Sequence, residues 1–332
     1  MKIQKSEFQA AWWLTNPHLQ TIWASLFYKK QQMPRERETF VLPDGDFVHL
    51  DWIKEGKGPI VLIFHGLTGS SESSYAYGLQ YTLWKKGWRS VVMNFRGCSG
   101  EPNNRPRSYH SGATEDIQSL FAEVRKREPD TPIAACGFSL GGNALLKWLG
   151  ENPEKDGLFA ATAVSVPFLL NRCSDRMEKG FSKVYLSRFI RDLRQSVDDK
   201  IQHFEQKAEK EYAQRLKEIG DLTKVKTFWE FDDRVTAPLH GFESAADYYQ
   251  RSSSRQFLKA IQTPTLIVQS QDDPFMDKEI IPSADELSDH VTLELAQKGG
   301  HVGFLTGKVP GKPVFWLKQR LPSYLEQRFS QL

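Results

Sequence analysis

The chain has 332 residues, enough for one large core carrying an insertion and too few for three ordinary domains. With 39% hydrophobic and 26% charged residues, its composition excludes disorder as the main state. A net charge of +3, from 44 basic and 41 acidic residues, argues against nucleic-acid binding, which needs a concentrated basic patch. The three cysteines, Cys98, Cys136 and Cys173, are odd in number and form no C-x-x-C pair. Neither a disulfide framework nor a zinc site is expected, and a reducing cytoplasm is the default compartment.

Residues 1–10 carry Lys2, Lys5 and Glu7 without a long apolar core, so they do not read as a signal peptide. Residues 8–28 are rich in aromatics: Phe8, Trp12, Trp13, Trp23, Phe27 and Tyr28. Packing on its own domain is the expected role of this stretch, because large exposed apolar patches are rare; a peripheral contact with a membrane or a lipid-like substrate is the alternative. Residues 39–42 and 47–50 flank a Pro-Asp-Gly-Asp turn and predict an antiparallel hairpin at a sheet edge. Six β-rich runs follow, at 60–64, 90–95, 132–136, 161–166, 265–268 and 291–295. The clearest of them are continuous and bounded by Gly or Pro, as strands buried on both faces of a parallel sheet are. Helical segments at 74–86, 113–127 and 140–149 alternate with the strands, which predicts right-handed crossovers and a doubly wound α/β sheet. The best apolar run, 158–170, is too short to span a bilayer and contains Ser165 and Pro167.

The alternation stops after Pro167. Residues 169–258 are charged, helical and strand-poor. Within them Ile201, Phe204, Ala208, Tyr212, Leu216 and Ile219 step by three or four, the mark of an amphipathic helix over 198–218. Strand-like sequence resumes at Thr263. The expected organisation is therefore a core of residues 1–168 and 259–332, with a helical lid inserted at 169–258.

Gly137-Phe138-Ser139-Leu140-Gly141 joins a buried strand to a helix, the context in which G-x-S-x-G forms a nucleophile elbow. Ser139 is the candidate nucleophile. The Leu140 N–H falls at the helix start, where backbone donors are unpaired and favour negative charge. His65-Gly66-Leu67-Thr68-Gly69 follows the first buried strand and offers the Leu67 N–H as the second oxyanion donor. His65 is expected to order that loop, because in the order Ser, acid, His the base lies far downstream. That base is His301, in the loop Lys298-Gly299-Gly300-His301-Val302-Gly303. The acid belongs after the strand at 265–268, where Asp272 and Asp273 stand together. Asp273 is chosen because it directly precedes Pro274, which opens the next turn, and Asp272 is the runner-up, expected to brace the loop. Asp277 fits better in the first turn of the following helix. Arg96 is expected to pair structurally with Asp116 or Glu115 rather than serve the site. His240 precedes the acid's strand, the wrong order for a base, and His203 lies on a charged helix.

Taken together, the chain resembles the YheT-like branch of the α/β hydrolases, related to eukaryotic lipase-like ABHD proteins and a plant embryogenesis-associated group. Widely shared strings are the elbow and Gly299-Gly300-His301-Val302-Gly303. Narrower ones are Asn16-Pro17-His18-Leu19-Gln20-Thr21 and Phe231-Asp232-Asp233. The resemblance implies an esterase or lipase-like activity on acyl esters and no cofactor; no metal site is expected either. The expected function is cleavage of carboxylic esters through an acyl-Ser139 intermediate. The same triad would serve an acyltransferase or thioesterase, and an inactive binding protein on this fold is the reading from another class. A monomer is the default state.

Overall fold

The computed structural model describes residues 2–153 and 157–332. Its centre is a nine-stranded sheet. The strands are β1 (Ile3–Lys5), β2 (Glu36–Val41), β3 (Phe47–Ile53), β4 (Ile60–Phe64), β5 (Arg89–Asn94), β6 (Ile133–Phe138), β7 (Ala160–Val164), β8 (Thr265–Ser270) and β9 (Val291–Ala296). Their spatial order is β1-β9-β8-β7-β6-β4-β5-β3-β2. All neighbours are parallel except β2 with β3 and β3 with β5.

The continuous apolar runs have a direct cause. In β4, Ile60, Leu62 and Phe64 enter one hydrophobic core, while Val61 and Ile63 enter the core on the opposite face. Helices α1 (Pro17–Phe27), α2 (Ser74–Lys85), α3 (Glu115–Arg127) and α4 (Leu140–Glu151) accompany the strands. Ile117 and Leu120 of α3 and Leu145 and Trp148 of α4 fill the first core, and Leu79 and Leu83 of α2 fill the second. The predicted hairpin is β2–β3, and β2 lies at the sheet edge. At the other edge β1 pairs with β9; three residues are too few for periodicity to announce a strand.

Between β7 and β8 the chain leaves the sheet and forms α5 (Leu170–Met177), α6 (Ser182–Gln206), α7 (Lys210–Lys217), α8 (Phe228–Phe231), a π-helical turn (Asp232–Thr236), α9 (Ala237–His240) and α10 (Ala245–Ser252). This insertion has a core of its own, which includes Met177, Leu186, Ile190, Phe231 and Val235. The single amphipathic helix expected over 198–218 is two helices. α6 stops at Gln206, Ala208 takes a left-handed φ of 59°, and α7 folds back. The break lets Ala213 and Leu216 pack on Phe204. One uninterrupted helix would have presented those residues along a line with nothing to cover them, and the helical period alone does not register the fold-back. After β9 come a short antiparallel pair, β10 (Leu305–Thr306) with β11 (Val314–Phe315), and α11 (Leu317–Phe329), which packs on the second core.

Candidate active site

Ser139 occupies the turn between β6 and α4 with φ 51° and ψ −119°, a region sparsely populated for residues with a Cβ. Surrounding structure holds it there. The Ser139 N–H donates to Val164 O at 2.8 Å, and α4 presses against the end of β4. A Cβ at Gly141 would lie 2.4 Å from His65 O, so only glycine permits that approach.

The loop after β4 abuts the serine, since a Cβ placed on Gly66 would sit 3.1 Å from Ser139 Cβ. Three side chains order this loop. His65 is fully buried; its Nδ1 donates to Gly66 O at 2.8 Å and its Nε2 accepts the Phe95 N–H at 3.0 Å. Both contacts suit a neutral ring, and burial pushes its pKa down to about 4. Tyr75 Oη accepts the Gly66 N–H at 2.9 Å, and Tyr109 Oη accepts the Thr68 N–H at 2.8 Å. Thr68 is itself at φ 51°. The Leu67 N–H between them has no hydrogen-bond partner among the described residues. The Leu140 N–H opens α4, where the helix offers it no carbonyl.

His301 comes from the loop after β9. Its Nε2 is 2.9 Å from Ser139 Oγ and its Nδ1 is 2.8 Å from Asp273 Oδ2. Asp273 is buried, and its other oxygen accepts the Phe275 N–H at 2.9 Å. Phe275 stacks on the imidazole, ring centroids 4.1 Å apart. Asp272 does not reach the imidazole; Oδ1 accepts the Gly300 N–H at 3.0 Å, and burial raises its pKa. The doubled aspartate thus divides between ring and loop.

The imidazole is aimed by consecutive backbone donors. The N–H groups of Gly300, His301 and Val302 go to Asp272, to Thr21 Oγ1 at 2.9 Å and to Ser165 Oγ at 3.0 Å. Thr21 lies on α1, which Asn16 caps by accepting the His18 and Leu19 N–H groups, with Pro17 in the first turn. One residue earlier, buried Gln20 donates to Leu14 O and Leu305 O and accepts the Leu305 N–H. Gly300 is at φ 59°, and a Cβ there would meet Pro17 O at 2.5 Å. The string Asn16 to Thr21 marked Gln20 and Thr21 without giving them a role, and no pattern marked Ser165, Tyr75 or Tyr109. The signal for the first two was the Asn-Pro start of α1, a helix cap that reads as such.

Arg96 stands away from the reacting atoms. It is buried and makes paired hydrogen bonds to Asp116 at 2.7 and 2.8 Å, with further bonds to Asp44 and Asp46. Its expected partner is therefore Asp116, while Glu115 pairs with Arg107. His240 Nδ1 donates to Thr236 O at 2.7 Å, and its ring meets His110 at 4.7 Å. Asp277 directly precedes a 3-10 turn (Lys278–Ile280) and faces Arg176. Among the described residues no cluster of His, Cys, Asp or Glu has metal-binding geometry.

A cavity of about 370 Å³ opens over Ser139. Leu67 and Leu140 border it on the sheet side, and Phe189, Leu193, Val197 and Val235 wall it from the insertion. Its polar stretch includes His110, Lys200, Asp232 and Tyr248.

Residues 59–308 match the family model described as alpha/beta hydrolase fold. YheT of Escherichia coli (strain K12), a protein whose name calls it an esterase, is 41% identical over 315 residues, covering 94% of this chain and 90% of that one. Phospholipase ABHD3 of Homo sapiens is 30% identical over 329 residues, covering 96% and 76%. The solved esterase Pf2001 of Pyrococcus furiosus superposes with a TM-score of 0.54 at 15% identity, covering 100% of this chain and 97% of that one, and so shares the fold. With a serine in the strained turn after the central strand β6 and this sequence kinship along nearly its whole length, the chain belongs to the α/β-hydrolase family, in its YheT-like branch, as an enzyme of the esterase and lipase type.

Proposed function

We propose that the chain hydrolyses carboxylic esters through an acyl-Ser139 intermediate, with His301 as base, Asp273 as its orienting acid and the Leu67 and Leu140 N–H groups as oxyanion donors. The observation that carries this reading is the unbroken line of hydrogen bonds from Asp273 through His301 to Ser139. Asp273 accepts from Nδ1, which leaves Nε2 free to take the Ser139 proton as Oγ attacks the ester carbonyl carbon. The carbonyl oxygen, now an anion, meets the two backbone donors. The tetrahedral centre collapses, the C–O bond to the alcohol breaks, and Nε2 returns its proton to the departing oxygen. Water then attacks the acyl-serine by the same route and releases the acid. The insertion walls the cavity with apolar side chains and serves as a lid that excludes water from it. Phospholipase ABHD3 and a monoacylglycerol lipase of Saccharomyces cerevisiae, 28% identical, support an acyl ester as the substrate class.

Hydrolysis of p-nitrophenyl esters of graded chain length tests this. Ser139→Ala and His301→Ala lower kcat by about 10⁴-fold or more, Asp273→Ala by about 10³-fold or more, and Asp272→Ala by only about tenfold, since it acts on loop position. Fluorophosphonate labelling that persists in Ser139→Ala sinks the proposal.

A further inference from the structure

Eleven large apolar side chains are exposed among the described residues. Three of them, Val41, Phe329 and Leu332, lie on the edge strand β2 and the chain's C-terminal end. The others gather on three segments, of which α1 and its approach touch the other two. Trp12, Leu19, Leu26 and Phe27 belong to α1 and its approach; Phe181 and Val184 belong to the start of α6; Val309 and Val314 belong to the β10–β11 hairpin. Contacts tie α1 to both sides. His18 lies 4.6 Å from the Phe181 ring and 3.3 Å from Tyr185 Oη. On the other flank, Trp12 Nε1 donates to Lys308 O at 3.1 Å, and Trp23 and Phe27 share a shallow hollow with Gly311 and Pro313. Leu19 and Leu26, seven residues apart, fall on one face of α1, opposite the face from which Thr21, Ala24 and Ser25 line the cavity over Ser139.

Its charge is as uneven as its hydropathy. Segments 12–29, 178–188 and 305–315 carry Lys29, Lys179, Lys183, Arg188, Lys308 and Lys312, against the single acid Glu178. The whole chain is nearly balanced, 44 to 41. The five lysines are exposed and have no ion-pair partner among the described residues. Aromatic and aliphatic side chains interspersed with free lysines on one face match a lipid–water interface, where the apolar groups enter the acyl boundary and the ammonium groups meet anionic headgroups. A second copy of the chain fits poorly, because a symmetric contact would set like charges against each other.

We infer that this face, formed by α1, the start of α6 and the β10–β11 hairpin, docks the protein on anionic membrane surfaces. The docking surface stands on exposure and charge alone.

Sedimentation with vesicles tests docking without turnover. The full chain is mixed with vesicles of phosphatidylcholine alone or phosphatidylcholine with phosphatidylglycerol, at low and high salt. Wild type is expected to pellet with the anionic vesicles at low salt and to stay in solution with the neutral ones. The combined variants Leu26→Ser/Phe27→Ser/Phe181→Ser and Lys179→Glu/Lys183→Glu/Lys308→Glu/Lys312→Glu each lower the bound fraction by about tenfold or more, while Val41→Ser, an exposed apolar residue elsewhere, leaves it unchanged. Circular dichroism melting verifies that each variant folds. Absence of wild-type binding to anionic vesicles overturns the inference, as does binding that neither combined variant weakens. Light scattering that finds a dimer dispersed by the apolar variant assigns the face to self-association instead. Because no ester enters these measurements, an inactive but vesicle-bound protein would count against the hydrolase reading alone.

Discussion

At the scale of single residues, the proposed oxyanion loop depends on hydroxyls that take no part in bond making. Gly66 and Thr68 flank Leu67, and each gives its N–H to a tyrosine, Tyr75 or Tyr109. These anchors fix the peptide planes on either side of the one N–H left to face the cavity. Tyr75→Phe removes the acceptor for the Gly66 N–H while its ring stays packed on Phe138, 4.7 Å away. An unpaired buried donor costs about 1–3 kcal/mol, and a loop that escapes by turning moves Leu67 with it. The expected outcome is a kcat about 10- to 100-fold lower with KM nearly unchanged, because the alcohol and acyl portions bind elsewhere. A pure rise in KM would show that Tyr75 shapes the pocket instead. The residues proposed to contact the reacting atoms were legible as strings because each sits within a few residues of a Gly-rich turn at a strand end. Their supports were not: Thr21 and His301 are 280 residues apart, and a pattern that spans a few residues carries no information about such a pair.

Among the elements, the strands and the helices that cross between them were the most legible, since burial on both faces leaves continuous β-branched runs. The inserted segment was legible as helical but not in its joints, where a left-handed Ala208 and a π-helical turn interrupt the period. That π turn holds a half-buried carboxylic acid, Asp232, which accepts from Thr236 Oγ1 at 2.6 Å and Tyr249 Oη at 2.7 Å. Burial raises its pKa from 3.8 to about 6. The sign follows from proton counts: between those values the folded state holds a proton that the unfolded state has lost. Asp232's contribution to stability is therefore fully present below its unfolded pKa and is lost as pH rises through about 6. Asp232→Asn does not titrate. Comparing the two proteins by denaturant unfolding between about pH 4 and about pH 8, the difference should move in favour of the variant by roughly 2–3 kcal/mol. The neighbouring histidines, His110 and His240, are present in both and cancel in the difference to first order. A pH-independent difference would mean that the carboxyl ionises freely in the fold.

For the molecule as a whole, the insertion and the oxyanion loop are joined through one intervening loop. Lys200, on α6, is buried and donates to Pro106 O at 2.9 Å, Arg107 O at 2.7 Å and Ser108 Oγ at 2.9 Å. Burial pulls its pKa from 10.5 to about 7, so the ammonium is held in place by its three acceptors rather than by water. Nearby, Lys207 reaches Asn104 Oδ1 at 2.9 Å and Arg105 reaches Tyr212 Oη at 2.5 Å, so α6 and α7 both grip this loop. The next residue after Ser108 is Tyr109, whose hydroxyl holds Thr68 and thereby Leu67. A path of hydrogen bonds and backbone thus runs from the insertion to the proposed oxyanion donor, Leu67. Lys200→Met keeps the apolar stem but drops all three bonds, and Tyr109→Phe cuts the path at its far end. If position is transmitted this way, each variant lowers kcat by about tenfold and the double variant is no worse than the weaker single one, because residues in one network are not additive. Hydrogen exchange should quicken over residues 104–112 in Lys200→Met. Additive losses in the double variant would mean instead that Lys200 and Tyr109 act on the reaction independently, the first by shaping the cavity wall and the second by holding the loop.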